Sequence, residues 1–427
     1  MTESPSLRLP PAARFLPNTL FYGWYIAAGC AVLSFVSVGV GFYGLAVFLK
    51  PLQTEHGWSS TQVSGATGLY FSLSGVTAAI VGARIDRSGP IKLMAAGIVI
   101  SGLAAATIGL VGHLWQLYLA YAVLAVASGM SAGVATNAIV TRWFIRRRAR
   151  AMAVSATGVS AGGVILSPLI SRLIDIGGIE LAAPLMGALV ITVALPVLAL
   201  VISWDPRRMG LKPDGNLPLE AQSAERDLRE IVQTRLWTRA EALHSVAFWA
   251  ILVAFLMVLI GQTGYIIHQV SFLETRLGSR SNAAFALSVT AGGSIIARLI
   301  VGGFADMVDK RMLTVVLLAI QGTAVLLIIH TENVAATWVL TLVFGFTIGN
   351  MYMMQSLLVG EIFGMVSFGA VYGLVSMAGQ VGSGGGPLLI GILHDQSGGY
   401  GIPFTVSAIL TYAAALAIVF ARPAKAT

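Results

Sequence analysis

GARIDRSGPIK, residues 82–92, closes one apolar run and opens the next, with Gly82 and Asp86 four positions apart. GGFADMVDKR, residues 302–311, does the same in the second half of the chain, with Gly302 and Asp306 at the same spacing. A short polar, basic turn at the same place in each half implies a chain built from two copies of one unit. Parallel repeats of this kind are characteristic of membrane transporters.

Composition points the same way. Of 427 residues, 56% are hydrophobic and only 10% charged, against about 25% charged in soluble domains. Mean hydropathy is +0.84. A chain so poor in charge has an outer surface that meets lipid. Its one cysteine, Cys30, excludes an intrachain disulfide, and the six histidines lack metal-ligand spacing. We expect no metal and no cofactor. The N-terminal MTESPSLRLPPAARFLPNTL has no small-residue cleavage site behind it, so the first apolar run reads as a retained helix.

A crossing helix needs about 20 apolar residues. Twelve candidates lie near 22–50, 60–83, 91–111, 114–140, 149–171, 179–203, 245–271, 281–305, 312–330, 335–360, 365–393 and 400–421. The expected fold is an all-α polytopic membrane protein, with twelve helices in two six-helix bundles. Its parts are a cytoplasmic tail (1–20), a first bundle (21–203), a cytoplasmic linker (204–244), a second bundle (245–421) and a C-terminal tail (422–427). Within the linker, LEAQSAERDLREIVQTRLW reads as a surface helix or as a solvated, partly helical segment. With both termini cytoplasmic, the inner segments collect basic residues such as Arg84, Arg87, Lys92, Arg142, Arg147, Arg207, Arg208 and Lys310. The outer segments hold only Lys50, Arg172, Arg276 and Arg280. This bias explains the net charge of +8 without a nucleic-acid partner. It leaves Arg298 unassigned, since that residue lies inside the run AGGSIIARLIVGGFAD, residues 291–306.

The Gly82–Gly89 pattern G-x-x-x-D-R-x-G resembles the loop signature of the major facilitator superfamily. Its second copy departs, with Met307 where the arginine stands. The resemblance implies that Gly82, Asp86, Arg87, Gly302 and Asp306 act in conformational gating. The glycines permit close helix approach, and the aspartates cap helix ends or pair with arginine. A narrower resemblance, to the monocarboxylate transporter family, lies in RWFIRRRARAMAVSATGVSAGG, residues 142–163. There Trp143 and Phe144 match an aromatic pair, Arg147 and Arg148 a basic pair, and Ala151, Ala153, Gly158 and Gly162 a small-residue helix. Pro168 and Leu169 continue the match, and Gly23 and Trp24 partly match the family's other signature. These residues fit structural roles as well: the aromatics as interface anchors, the arginines as topology determinants, the small residues as packing.

Arg298 projects from a stripe that includes Ala291, Ser294, Gly302 and Ala305. Ile296 and Ile300 lie elsewhere on the wheel. No aspartate or glutamate falls in the middle of any of the twelve spans. An embedded cation without an embedded anion points to a substrate that brings the anion, and arginine binds carboxylate with two directional hydrogen bonds. The alternative is an arginine that snorkels to the interface. The family resemblance implies the same carboxylate role for Arg298. Many animal members place a lysine in helix 1, where Tyr43 or Phe42 stands here, and an aspartate where Ser294 stands. Proton coupling by that pair is therefore open, as is coupling through His268, through the substrate's own carboxyl, or exchange.

The resemblance places helices 1, 4, 7 and 10 around the cavity. On them, Tyr43, Asn137, Tyr265, His268, Asn350 and Tyr352 are polar, and Gln380 lies on helix 11. Each fits a ligand role or an interhelical contact. GQVGSGGGPLLIG, residues 379–391, lacks the Lys-Ser/Thr of a phosphate loop, so ATP is not expected as a partner. The expected function is proton-coupled carriage of a small organic monocarboxylate by alternating access, by a monomer in the cell's inner (plasma) membrane. An oxalate/formate-type exchanger and a carboxylate-binding sensor are the alternatives. No nucleophile–base pair suggests an enzyme.

Overall fold

The computed structural model describes residues 9–15, 17, 20–144, 147–215, 239–304, 307–363 and 368–421. These residues hold helices and no strand. The helices are α1 (Tyr22–Val38), α2 (Gly44–His56), α3 (Ser60–Ser88), α4 (Ile91–Thr107), α5 (Leu114–Ser131), α6 (Val134–Trp143), α7 (Arg148–Leu189) and α8 (Leu195–Leu200). They continue with α9 (Arg239–Leu243), α10 (Val246–Leu277), α11 (Arg280–Phe304), α12 (Lys310–His330), α13 (Val334–Phe363), α14 (Phe368–Ser397) and α15 (Gly401–Val419). Among the described residues, nine helical stretches are long and apolar enough to cross a membrane. One of them, Arg150–Leu200, is broken at Gly177 and Gly178, where Gly178 takes φ +67°, and so supplies two crossings. With α3 and α14, of 29 and 30 residues, these make the expected twelve. The linker helix expected within 216–238 lies outside the described residues.

Packing divides the chain into two units, Met1–Gly44 with Leu73–Glu225, and Leu45–Ser72 with Arg226–Thr427. The division is not a simple halving at the linker. It passes through the first and second spans, whose middle stretch packs with the second-half helices.

In the first unit, α1 lies on the first part of α7 at very short range. A methyl at Gly162 would meet the Phe35 carbonyl at 2.6 Å and the Gly39 Cα at 2.9 Å. Glycines and alanines at four-residue spacing let backbones approach this closely, which replaces the hydrophobic drive that lipid removes. Between α1 and α2 the chain widens into a π-helical turn, Gly39–Tyr43. The part of α7 beyond the break packs on α4 instead, through Gly102 and Gly187. Trp143 and Phe144 tie the start of α1 and the end of α6 to the segment after α8. The Trp143 Nε1 donates to the Ser203 carbonyl at 2.8 Å, and Phe21 packs on both rings. Arg142 pairs with Asp205 at 3.5 Å and lies over the Trp204 ring. The aromatic pair of the family signature is thus buried packing.

In the second unit, α10 lies on α14 and α15. Gly264 and Gly386 face each other, and Gly261 sits on the Ser407 backbone. Phe248, Ile251, Phe255 and Val258 of α10 join Met351, Met354 and Leu358 of α13 in one buried cluster. α11 lies on α13 through a second small-residue seam, Gly345 on Thr290 and Gly349 on Ser294.

Candidate functional site

That last seam positions the arginine. Because Gly349 has no side chain, α13 comes onto the Ser294 backbone of α11, where an added methyl would lie 2.9 Å from the Ser294 Cα. One turn further along α11, the Arg298 Nε reaches the Gly349 carbonyl at 3.0 Å. A carbonyl has two lone pairs, so it accepts this bond beside the helical one. Along α11, Ala291, Ser294, Ala297 and Val301 are buried, whereas Ile296, Leu299 and Ile300 are at least half exposed, as lipid-facing side chains would be. Arg298 is half-buried at the border of the two faces. Its Nε is therefore held by the neighbouring helix.

The other expected ligands are distributed unevenly. Asn350, next to Gly349, is fully buried; its Nδ2 donates to the Phe346 carbonyl at 3.1 Å, and its Oδ1 has no hydrogen-bond partner among the described residues. Tyr265 is fully buried between Phe344 and Phe404, with ring centroids 4.4 and 4.7 Å away, and its hydroxyl likewise lacks a partner among the described residues. Below it on α10, Gln269 donates to Thr290 Oγ1 at 2.9 Å. Tyr352 is half exposed, and Gln380 on α14 is half-buried. In the first unit, Tyr43 is buried at the end of the π-helical turn against Phe42, and Asn137 is exposed on α6. Arg298 and Asn350 are thus brought to one seam by the backbone of α13.

His268 belongs to a different neighbourhood. It is fully buried, with Nε2 3.0 Å from Ser64 Oγ and 3.2 Å from the Pro387 carbonyl, and Nδ1 3.2 Å from the Tyr400 hydroxyl. Ser64, Tyr400 and the nearby Asp395 carry no signal in the sequence, because each is a single polar residue at a helix end. The backbone of Gly82, Asp86 and Arg87 falls in the last turns of α3 and that of Gly302 in the last turn of α11. Their side-chain contacts, and Asp306 altogether, lie outside the described residues.

Long apolar helices joined by small-residue seams define a polytopic helical membrane protein. The chain belongs to the major facilitator superfamily, whose family model matches residues 31–385. Among curated relatives, it is 23% identical over 391 residues to the MFS-type transporter pynF of Aspergillus niger, covering 90% of this chain and 85% of that one. It is 24% identical to monocarboxylate transporter 13 of Bos taurus, covering 90% and 86%. It is 26% identical to monocarboxylate transporter 11 of Mus musculus, covering 90% and 84%. Among solved structures, a bacterial homolog of the human lysosomal transporter Spinster, in an inward-facing and unoccupied conformation, superposes with a TM-score of 0.67 at 19% identity. That match covers 94% of this chain and 95% of the other.

Proposed function

We propose that this transporter carries a small organic monocarboxylate across the cell's inner membrane, coupled to a proton, and that Arg298 binds the carboxylate. The observation that carries this reading is the Arg298 Nε bond to Gly349, which holds a cation within an apolar membrane helix. Arginine binds a planar carboxylate with two directional hydrogen bonds, which a single ammonium does not reproduce. The relatives named monocarboxylate transporters support the substrate class. The test is uptake of labelled lactate, pyruvate and aromatic acids into proteoliposomes. Arg298→Ala abolishes uptake and Arg298→Lys retains little of it, because an ammonium lacks that pair of bonds. Normal uptake by Arg298→Ala would overturn the assignment. Acidification of the lumen on adding substrate supports proton symport, whereas counterflow without acidification indicates exchange.

A further inference from the structure

His268 belongs to a contact network of the second unit that starts from a helix end. The first N–H groups of any helix lack intrahelical partners. At the start of α3 they are taken up by a residue 335 positions away: Asp395 Oδ1 accepts from the Ser60 N–H at 3.2 Å. Its Oδ2 accepts from the Thr61 N–H at 2.8 Å. One turn later Ser64 meets His268 at 3.0 Å. The Pro387 carbonyl only accepts, so Nε2 carries the hydrogen, shared with Ser64 Oγ, and Nδ1 accepts from the Tyr400 hydroxyl. Another turn on, a methyl at Gly68 would come within 2.5 Å of the Gly384 carbonyl, and one at Gly391 within 3.0 Å of the Ser60 carbonyl. The contact thus runs along Ser60, Ser64 and Gly68, one face of α3, and along Gly384, Pro387, Gly391 and Asp395, one face of α14. Lys50 of α2 adds an ion pair to Glu274 of α10 at 3.2 Å.

Two features mark this contact as one that opens. Its closest approaches are made by serines, glycines and single polar bonds. Asp395 lies at the surface, where water can replace the bonds it gives up. Moreover, α3 belongs to two packing units, as far as Ser72 to the second and from Leu73 to the first. Transporters with parallel repeats work by rocking one half against the other, and a helix divided in this way must break with one partner. The charge bias assigns this end of the helices to the outer side.

We propose that Asp395 and His268 form the outer latch of the transport cycle. They hold the start of α3 on the second-half helices while the outer side is closed, and release it when the carrier opens outward. The proposal rests on family membership and not on the solute carried.

The test is a distance measurement. Spin labels at Glu55→Cys and Gln396→Cys, both exposed positions, are placed in a Cys30→Ala background in lipid nanodiscs. The parent shows one dominant short separation. Asp395→Ala and Ser64→Ala each raise the long-separation population, by roughly 2- to 10-fold for one net hydrogen bond. Asp395→Asn, which keeps one acceptor oxygen, raises it less. If Asp395→Ala does not yield a folded protein, Ser64→Ala and Asp395→Asn decide. Distributions that superpose on the parent for all folded variants would overturn the latch. The label distances are read without substrate, so the latch and the carboxylate site fail or stand separately.

Discussion

Arg298 Nε donates to the Gly349 carbonyl at 3.0 Å across the α11–α13 seam, and Gly349 is the residue whose missing side chain makes that seam possible. The guanidinium's orientation therefore depends on a glycine 51 positions away. Gly349→Ala places a methyl 2.9 Å from the Ser294 Cα, which is backbone and cannot swing aside. Overpacking of this kind costs about 1–3 kcal/mol. The expected outcome is a lower thermal midpoint in detergent, with substrate KM raised because the arginine is displaced. A variant with parental midpoint and KM would show that the seam has no bearing on the site.

Tyr265 gives a cleaner separation of packing from binding. Its ring is wedged between Phe344 and Phe404, and its hydroxyl is buried without a partner among the described residues. Leaving such a group unsatisfied costs about 1–3 kcal/mol. If the residue is only core, Tyr265→Phe keeps transport intact and raises the thermal midpoint. If the hydroxyl meets the substrate during the cycle, uptake falls while the midpoint still rises. Measuring both on one preparation assigns the role.

The spans were legible because a membrane imposes length and apolarity on every crossing. The break at Gly177–Gly178 falls between the expected spans 149–171 and 179–203. The π-helical turn at Gly39–Tyr43 could not be read, since Gly-Val-Gly-Phe-Tyr fits an ordinary helix and widens only in its tertiary setting. Arg298 stood out as a cation without a topological role. What holds it, the Gly349 carbonyl, is backbone and leaves no trace in side-chain pattern. His268 was visible as a polar residue in a span, but its partners Ser64 and Tyr400 lie 204 and 132 positions away. Contacts at that range follow from helix order in three dimensions, not from periodicity.

Trp143 tests the reading of the signature pair as packing. Its indole N–H donates to the Ser203 carbonyl, and its ring is buried against Phe21 and Tyr22. Trp143→Phe deletes the donor and leaves the carbonyl unpaired, a cost of about 1–3 kcal/mol. The thermal midpoint should drop while KM for the acid stays at the parental value. A raised KM with unchanged midpoint would instead place the pair in the substrate path.

Asp395 sets the pH range of the latch. Burial works to raise its carboxyl, but hydrogen bonds from Thr61, His394 and Ser59 outweigh it and bring it down to about 2. A depressed carboxylate contributes fully above its ordinary value of 3.8 and loses that contribution as pH falls through about 2. The Glu55–Gln396 label separation should therefore be flat from about pH 5 to about pH 8, where Asp395 stays ionised. The long population should grow only in strong acid, and Asp395→Asn should remove that growth. A transition near neutrality would overturn Asp395 as the group that sets the pH range of the latch.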